Sequence, residues 1–174
     1  MTIAVPEQTR TTASLAVAEE EVRMITEAFS REEFLRRPYL KKTMEGRSFH
    51  KWVLNRIPDK IEMQMINFSH YICKESIESE KWYQSSGRPP SWSVKQAIAL
   101  IDQLARNQRP GTEGRLDTNG CSNVFPVHFE SDGVAEIIVR VEPKEGQMLW
   151  DLAVQGVYRP SYWTVGDRLF FRDS

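Results

Sequence analysis

The stretch "DKIEMQMINFSHYICKESIESEKW", Asp59 to Trp82, follows Pro58 and is interrupted by neither proline nor glycine. Its apolar residues Ile61, Met65, Phe68 and Ile72 recur at steps of four, three and four, the spacing of one helical face. Read this way it is the longest helix of the chain, and the fold that follows is helical in its first half.

The flanks extend that reading. Residues 1–13 are rich in Thr, Pro and Gln without periodicity and read as a mobile tail. Ser14 can cap a helix with Leu15, Ala18, Val22, Ile25 and Phe29 on one face. "SREE" is a capping box, with Ser30 at N-cap and Glu33 at N3, and Pro38 ends or redirects the short helix behind it. After a break at Gly46, "RSFHKWVLNRI" reads as another short helix. "SSGRPPSW" is a loop by composition. Ser93 and Gln96 form a second capping box. Behind it, Val94, Ala97, Ile98, Ile101, Leu104 and Ala105 give the cleanest amphipathic pattern in the chain.

The pattern then turns to β after the turn formers of "NQRPGTEGRLDTNGCS". In "NVFPVHFE" the residues Phe125, Val127 and Phe129 alternate with Val124, Pro126 and His128, and Ala135, Ile137, Val139 and Val141 alternate in "VAEIIVRVE". A three-residue loop, Ser131 to Gly133, would set Phe129 opposite Ala135 and His128 opposite Glu136, keeping the apolar faces together. "YWTV-GD-RLFF" suggests a second hairpin turning at Gly166, and "QMLWDLAVQG" fits a strand or a short helix equally. The expected fold is therefore α+β. A helical part over 14–108, of four to five helices, packs on a small antiparallel sheet from 121–174, and the two form a single domain.

Composition narrows function more than it identifies it. The formal net charge is −1 over 174 residues, so the whole chain has no general attraction for nucleic acid or anionic lipid. No apolar run reaches the roughly 20 residues of a membrane span, and the N-terminus lacks a secretory h-region, which points to a cytoplasmic protein. Cys73 and Cys121, the two cysteines, are too few for a disulfide framework or a zinc site of their own. No cofactor or metal is expected.

Charge is segregated, however. Residues 31–60 carry nine basic and four acidic side chains, whereas 112–174 carry six and ten. Within the basic segment Arg36, Arg37, Lys41, Lys42, Arg47, Lys51 and Arg56 could neutralise phosphates, with Tyr39 or Trp52 as a stacking face for unpaired bases. The reading that follows is a non-enzymatic accessory subunit that binds RNA or single-stranded DNA within a larger assembly. Against it stands a protein-interaction or assembly factor, docking by charge complementarity to a partner or to itself. Trp82, Trp92, Tyr158, Tyr162 and Trp163 would be core residues or interface anchors.

Signals for catalysis are thin. His128 beside Glu136 could orient a base, yet no nucleophile is placed next to it. Asp132, Glu142 and Lys144 have the bare D…ExK spacing that resembles restriction-endonuclease-like nucleases, where two carboxylates hold a metal ion. Here the motif flanks one strand across a turn glycine, and turn chemistry accounts for the same letters. His50 and His70 read as single histidines on helices and are not taken as metal ligands.

Overall fold

Gln64–Cys73, the middle of the expected long helix, is a β-strand. The computed structural model describes residues 15–41, 47–86, 92–129, 133–156 and 161–173. The expected tail, Lys42, Asp132, Tyr158 and most of the "SSGRPPSW" loop lie outside them. In chain order come β1 (Leu15–Thr26), β2 (Phe29–Ser30), α1 (Arg31–Leu35), α2 (Arg47–Trp52), a 3-10 turn (Leu54–Arg56) and β3 (Lys60–Ile61). Then follow β4 (Gln64–Cys73), β5 (Ile77–Glu78), α3 (Ser79–Ser86), α4 (Val94–Asn107), β6 (Asn123–Phe129), β7 (Gly133–Lys144), β8 (Gln147–Gly156), β9 (Tyr162–Trp163) and β10 (Arg168–Arg172).

Six of these strands make one sheet in the order β1-β4-β10-β6-β7-β8, antiparallel except where β10 meets β6. This corrects the expected fold class. The N-terminal half supplies two long strands, β1 and β4, and the sheet spans most of the chain rather than its C-terminal third. The chain remains α+β.

The misreading has a physical cause. β4 carries apolar side chains on both faces. Ile66 and Phe68 join the main core, while Cys73 and the half-buried Tyr71 join a second cluster behind the sheet. Two-sided burial hides the alternation of two, and the surviving apolar letters then fit a helical spacing by accident. In β1 the register against β4 slips between Val17 and Glu19 and again between Glu19 and Val22. Such irregularities break the period of two locally.

Other expectations hold. Ser30 Oγ accepts the Glu33 N–H at 3.0 Å, and Glu33 Oε2 accepts the Ser30 N–H at 2.6 Å, so the first capping box is formed. The second, Ser93 with Gln96, opens α4. That helix packs over the inner face of the sheet and buries Ala97, Ile98, Ile101 and Leu104 against Phe125, Ile137 and Phe170. The Trp92 indole, just before it, donates to the Phe170 carbonyl at 2.8 Å and ties the helix start to β10.

The β6–β7 hairpin exists, but with Phe129 opposite Gly133, Val127 opposite Ala135 and Phe125 opposite Ile137. A shift of two residues from the expected register keeps every side chain on its face. His128 now faces Val134, and Glu136 faces Pro126, so the expected His128–Glu136 pair does not form. The segment left open between strand and helix is β8, joined to β7 by a two-residue turn at Glu145 and Gly146, both at positive φ (50° and 81°). That is the backbone twist a tight hairpin requires.

A turn forms at Gly166, but Gly166 is the second of its two central residues rather than the first, and it does not close the expected hairpin. β9 pairs with β5, while β10 pairs with β4 and β6. Asp167 N–H returns to Thr164 O at 3.0 Å with Gly166 at φ +92°. A Cβ there would lie 2.7 Å from Cys121 Sγ. Gly166→Ala is therefore expected to cost at least the about 1–2 kcal/mol of a left-handed alanine, with the clash on top. Urea unfolding would read this, and an unchanged midpoint would contradict it.

Candidate functional site

The basic segment divides into side chains already engaged inside the molecule and side chains turned outward. Arg37 grips Asp102 through two nitrogens, at 3.0 and 3.2 Å, and Tyr39 OH donates to the same carboxylate at 3.1 Å. Lys41 pairs with Glu142, whose hydrogen bond raises the pKa of the ammonium. Arg36 meets Glu32 one turn back on the exposed face of α1. Lys51 lies 4.7 Å over the Trp52 ring and Arg56 lies 5.3 Å from it. Trp52 itself is half-buried, 5.3 Å from Phe129, and Arg56 also sits 4.7 Å over Phe129. The faces of Trp52 are thus largely occupied by cations and by Phe129. Lys42 and the Arg47 side chain lie outside the described residues.

Asp102 is the best-anchored of these partners. It is fully buried on α4, one helical turn before Arg106, whose Nε is 3.0 Å from Oδ2. Arg106 also reaches Glu27, just beyond β1. Two arginines and a tyrosine thus converge on one carboxylate and lock the segment after α1 onto α4. Burial, then the Asp102 charge, pushes the Tyr39 pKa up.

A second buried carboxylate lies on the opposite face of the sheet. Glu136 of β7 accepts from Tyr83 OH at 2.9 Å, Trp163 Nε1 at 3.0 Å and Ser161 Oγ at 3.3 Å. These donors come from α3, from β9 and from the residue before it, so one side chain pins the covering layer to the sheet. Around it Trp82, Trp163, Phe171 and the half-buried Tyr71 and Tyr83 pack ring to ring, at centroid distances of 5.1 to 5.8 Å. Burial raises the Glu136 pKa, and the three donors oppose it. The alternation in "VAEIIVRVE" places Glu136 on the outer face. Nothing local reveals that α3 and β9 cover that face.

Among the described residues no nucleophile or histidine hydrogen-bonds to either carboxylate other than Ser161 and the tyrosine hydroxyls already named. His128 is exposed opposite Val134, and Glu142 is engaged with Lys41. His70 is buried against Phe170, its pKa pushed down to about 4 by burial and then by Arg168. Cys73 is buried, its thiol pushed up to about 12. Among the described residues no group of three His, Cys, Asp or Glu side chains could hold a metal ion, and no helix is long and apolar enough to cross a membrane. A shallow hollow of about 220 Å³ on the outer face of β7 and β8 is lined by Ile138, Arg140, Asp151 and Ala153, among others.

The remaining feature is the edge of the sheet at β1, beside which no further strand pairs among the described residues. Asp173 N donates to Asn67 O, Cys73 N to Asp167 O, and Gly166 N to Cys73 O. Odd-numbered residues of β4 therefore turn their main-chain polar groups toward β10, and even-numbered ones turn theirs toward β1. Val22 and Met24 face Phe68 and Ile66 and take those bonds. Arg23 and Ile25 face Asn67 and Met65, so their N–H and C=O groups point off the edge. Ile25 is 64% exposed and Met65, its cross-strand partner, 56% exposed, with Met63 beside them at 68%. Arg23 is also exposed, its Nε resting on Met65 Sδ. The far edge is treated differently: Lys41 N donates to Trp150 O and Trp150 N to Tyr39 O, so a crossing segment covers β8 at that point.

No family model, curated protein or solved structure matches the chain.

Proposed function

We propose that this protein is an interaction module that takes an extended segment of a partner protein along the open edge of β1. The observation that carries the reading is the edge itself. Two residues, Arg23 and Ile25, direct main-chain donors and acceptors outward beside an exposed Ile25, Met63 and Met65. An added strand would satisfy the polar groups and cover the apolar ones in one step, which is how exposed sheet edges recognise partners. A photoreactive residue at position 25, placed in the protein inside cells, is expected to give covalent protein adducts. The same adducts should vanish in Arg23→Pro. Proline there removes an N–H that faces outward and leaves the β1–β4 ladder intact. Absence of adducts, or adducts indifferent to Arg23→Pro, would end this reading.

A second reading rests on Arg36, Lys51 and Arg56 together with Lys42 and Arg47 of the same segment: binding of RNA or single-stranded DNA. It is supported by the exposure of Arg36 and Lys51 and by the two cations gathered on Trp52. It is weakened by the engagement of Arg37, Tyr39 and Lys41 inside the molecule. Fluorescence anisotropy with labelled single strands at about 50 and 200 mM salt separates the outcomes. On this reading binding falls steeply with salt, and Lys51→Ala flattens the dependence. No binding at the lower salt removes it.

A further inference from the structure

We infer that the segment taken up by β1 is β1 of a second copy, so that the protein is a two-fold dimer with its sheet continued across the interface. The inference rests on the edge reading above and adds the identity of the occupant. Three features of β1 lead to it.

The first is the register available. The slip between Glu19 and Val22 interrupts regular pairing on one side, and the strand ends at Thr26 on the other. The uninterrupted stretch is Val22 to Thr26. Antiparallel pairing of that stretch with itself about a two-fold axis uses all five residues in one register, centred on Met24. Arg23 then faces the partner's Ile25, and Ile25 faces the partner's Arg23.

The second is polar matching. Arg23 and Ile25 are the residues of that stretch whose N–H and C=O point outward. In the register centred on Met24 these groups face each other and exchange bonds in pairs, so none is left over. An isologous interface needs this self-complementarity, because each copy offers the same patch.

The third is what the side chains meet. Ile25 and Met65 lie on the outer face, and each Ile25 would be flanked by the aliphatic stem of the partner's Arg23. The half-buried Met24 on the inner face would touch its own copy. Apolar area is covered on both faces.

Analytical ultracentrifugation of the purified full chain over a concentration series tests this. The wild type is expected to show a reversible monomer–dimer equilibrium. Arg23→Pro and Ile25→Lys, both surface changes, are expected to sediment as monomers with unchanged circular dichroism. Amide exchange at Arg23 and Ile25 should slow as the dimer fills, while exchange at Glu21 stays fast. A wild type that remains monomeric throughout would overturn the inference, as would dimers that survive both substitutions. The position-25 photoadduct distinguishes the two failures. Monomeric wild type with adducts sensitive to Arg23→Pro leaves the edge reading standing with a different partner. Monomeric wild type with no adducts removes both.

Discussion

Asp102→Ala is expected to lower the unfolding free energy by about 3–5 kcal/mol, the usual consequence of removing one member of a buried ion cluster. The carboxylate is fully buried and holds Arg37 in a forked pair, with Tyr39 OH and Arg106 against the same two oxygens. Without it two guanidinium groups face each other with no carboxylate between them, and a tyrosine hydroxyl loses its acceptor. Most of the loss is the stranded charge rather than the value of the bonds. Asp102→Leu combined with Arg37→Met should therefore recover much of the stability that Asp102→Ala alone destroys. Urea unfolding of the two variants reads the comparison. If the double variant is no better than the single one, the stranded-charge account fails and the loss belongs to packing.

The second large effect is at Glu136 and carries a sign in pH. Burial raises its folded pKa above that of the unfolded chain. Between the two values the folded state holds the extra proton, so its contribution to stability is fully present at acid pH and is lost as pH rises. Glu136→Gln keeps an acceptor for Tyr83 and Trp163 and carries no charge. The variant should match the wild type near pH 4 and exceed it toward pH 7. The gap should widen by no more than about 1.4 kcal/mol per pH unit, the limit for one proton. His70 contributes in the opposite direction, resisting protonation as pH falls from about 6.5 toward its folded value of about 4. It is common to both proteins and cancels in the difference. Glu136→Ala should be worse than Glu136→Gln at every pH, because it strands a buried indole N–H at about 1–3 kcal/mol, besides two hydroxyls. A wild type that stays more stable than Glu136→Gln at pH 7 would show that the three donors outweigh burial.

Both centres explain why the functional signal in the sequence was partial. The basic segment is plain in the letters, but the groups that engage it are remote. Asp102 lies 65 residues from Arg37, and Glu142 lies 101 from Lys41. A cation looks available for phosphate until the fold brings its carboxylate. Glu136 presents the converse case. It occupies an outward position on its strand and becomes a buried acid only because Tyr83 and Trp163 fold over it. The β1 edge left no local mark, because an edge is defined by which strand is missing beside it.

What the sequence determined by itself is the structure whose causes lie within a few residues. The Ser30–Glu33 and Ser93–Gln96 capping boxes, the apolar face of α4 and the alternation of β6 and β7 all formed where the letters place them. Each rests on a hydrogen bond or a side-chain period that neighbours in the chain supply. Only the tertiary structure decided that Leu15–Thr26 and Gln64–Cys73 are strands. Neither carries a clean period of two. One is interrupted by register slips and the other is buried on both faces. Their extended form is set by partners far along the chain: β4 lies between β1 and β10, and the Phe68 and Phe170 rings sit 6.1 Å apart across 102 positions. A strand without its neighbour leaves its polar groups unpaired. Its identity therefore belongs to the sheet as a whole, and so does the edge on which the proposed function depends.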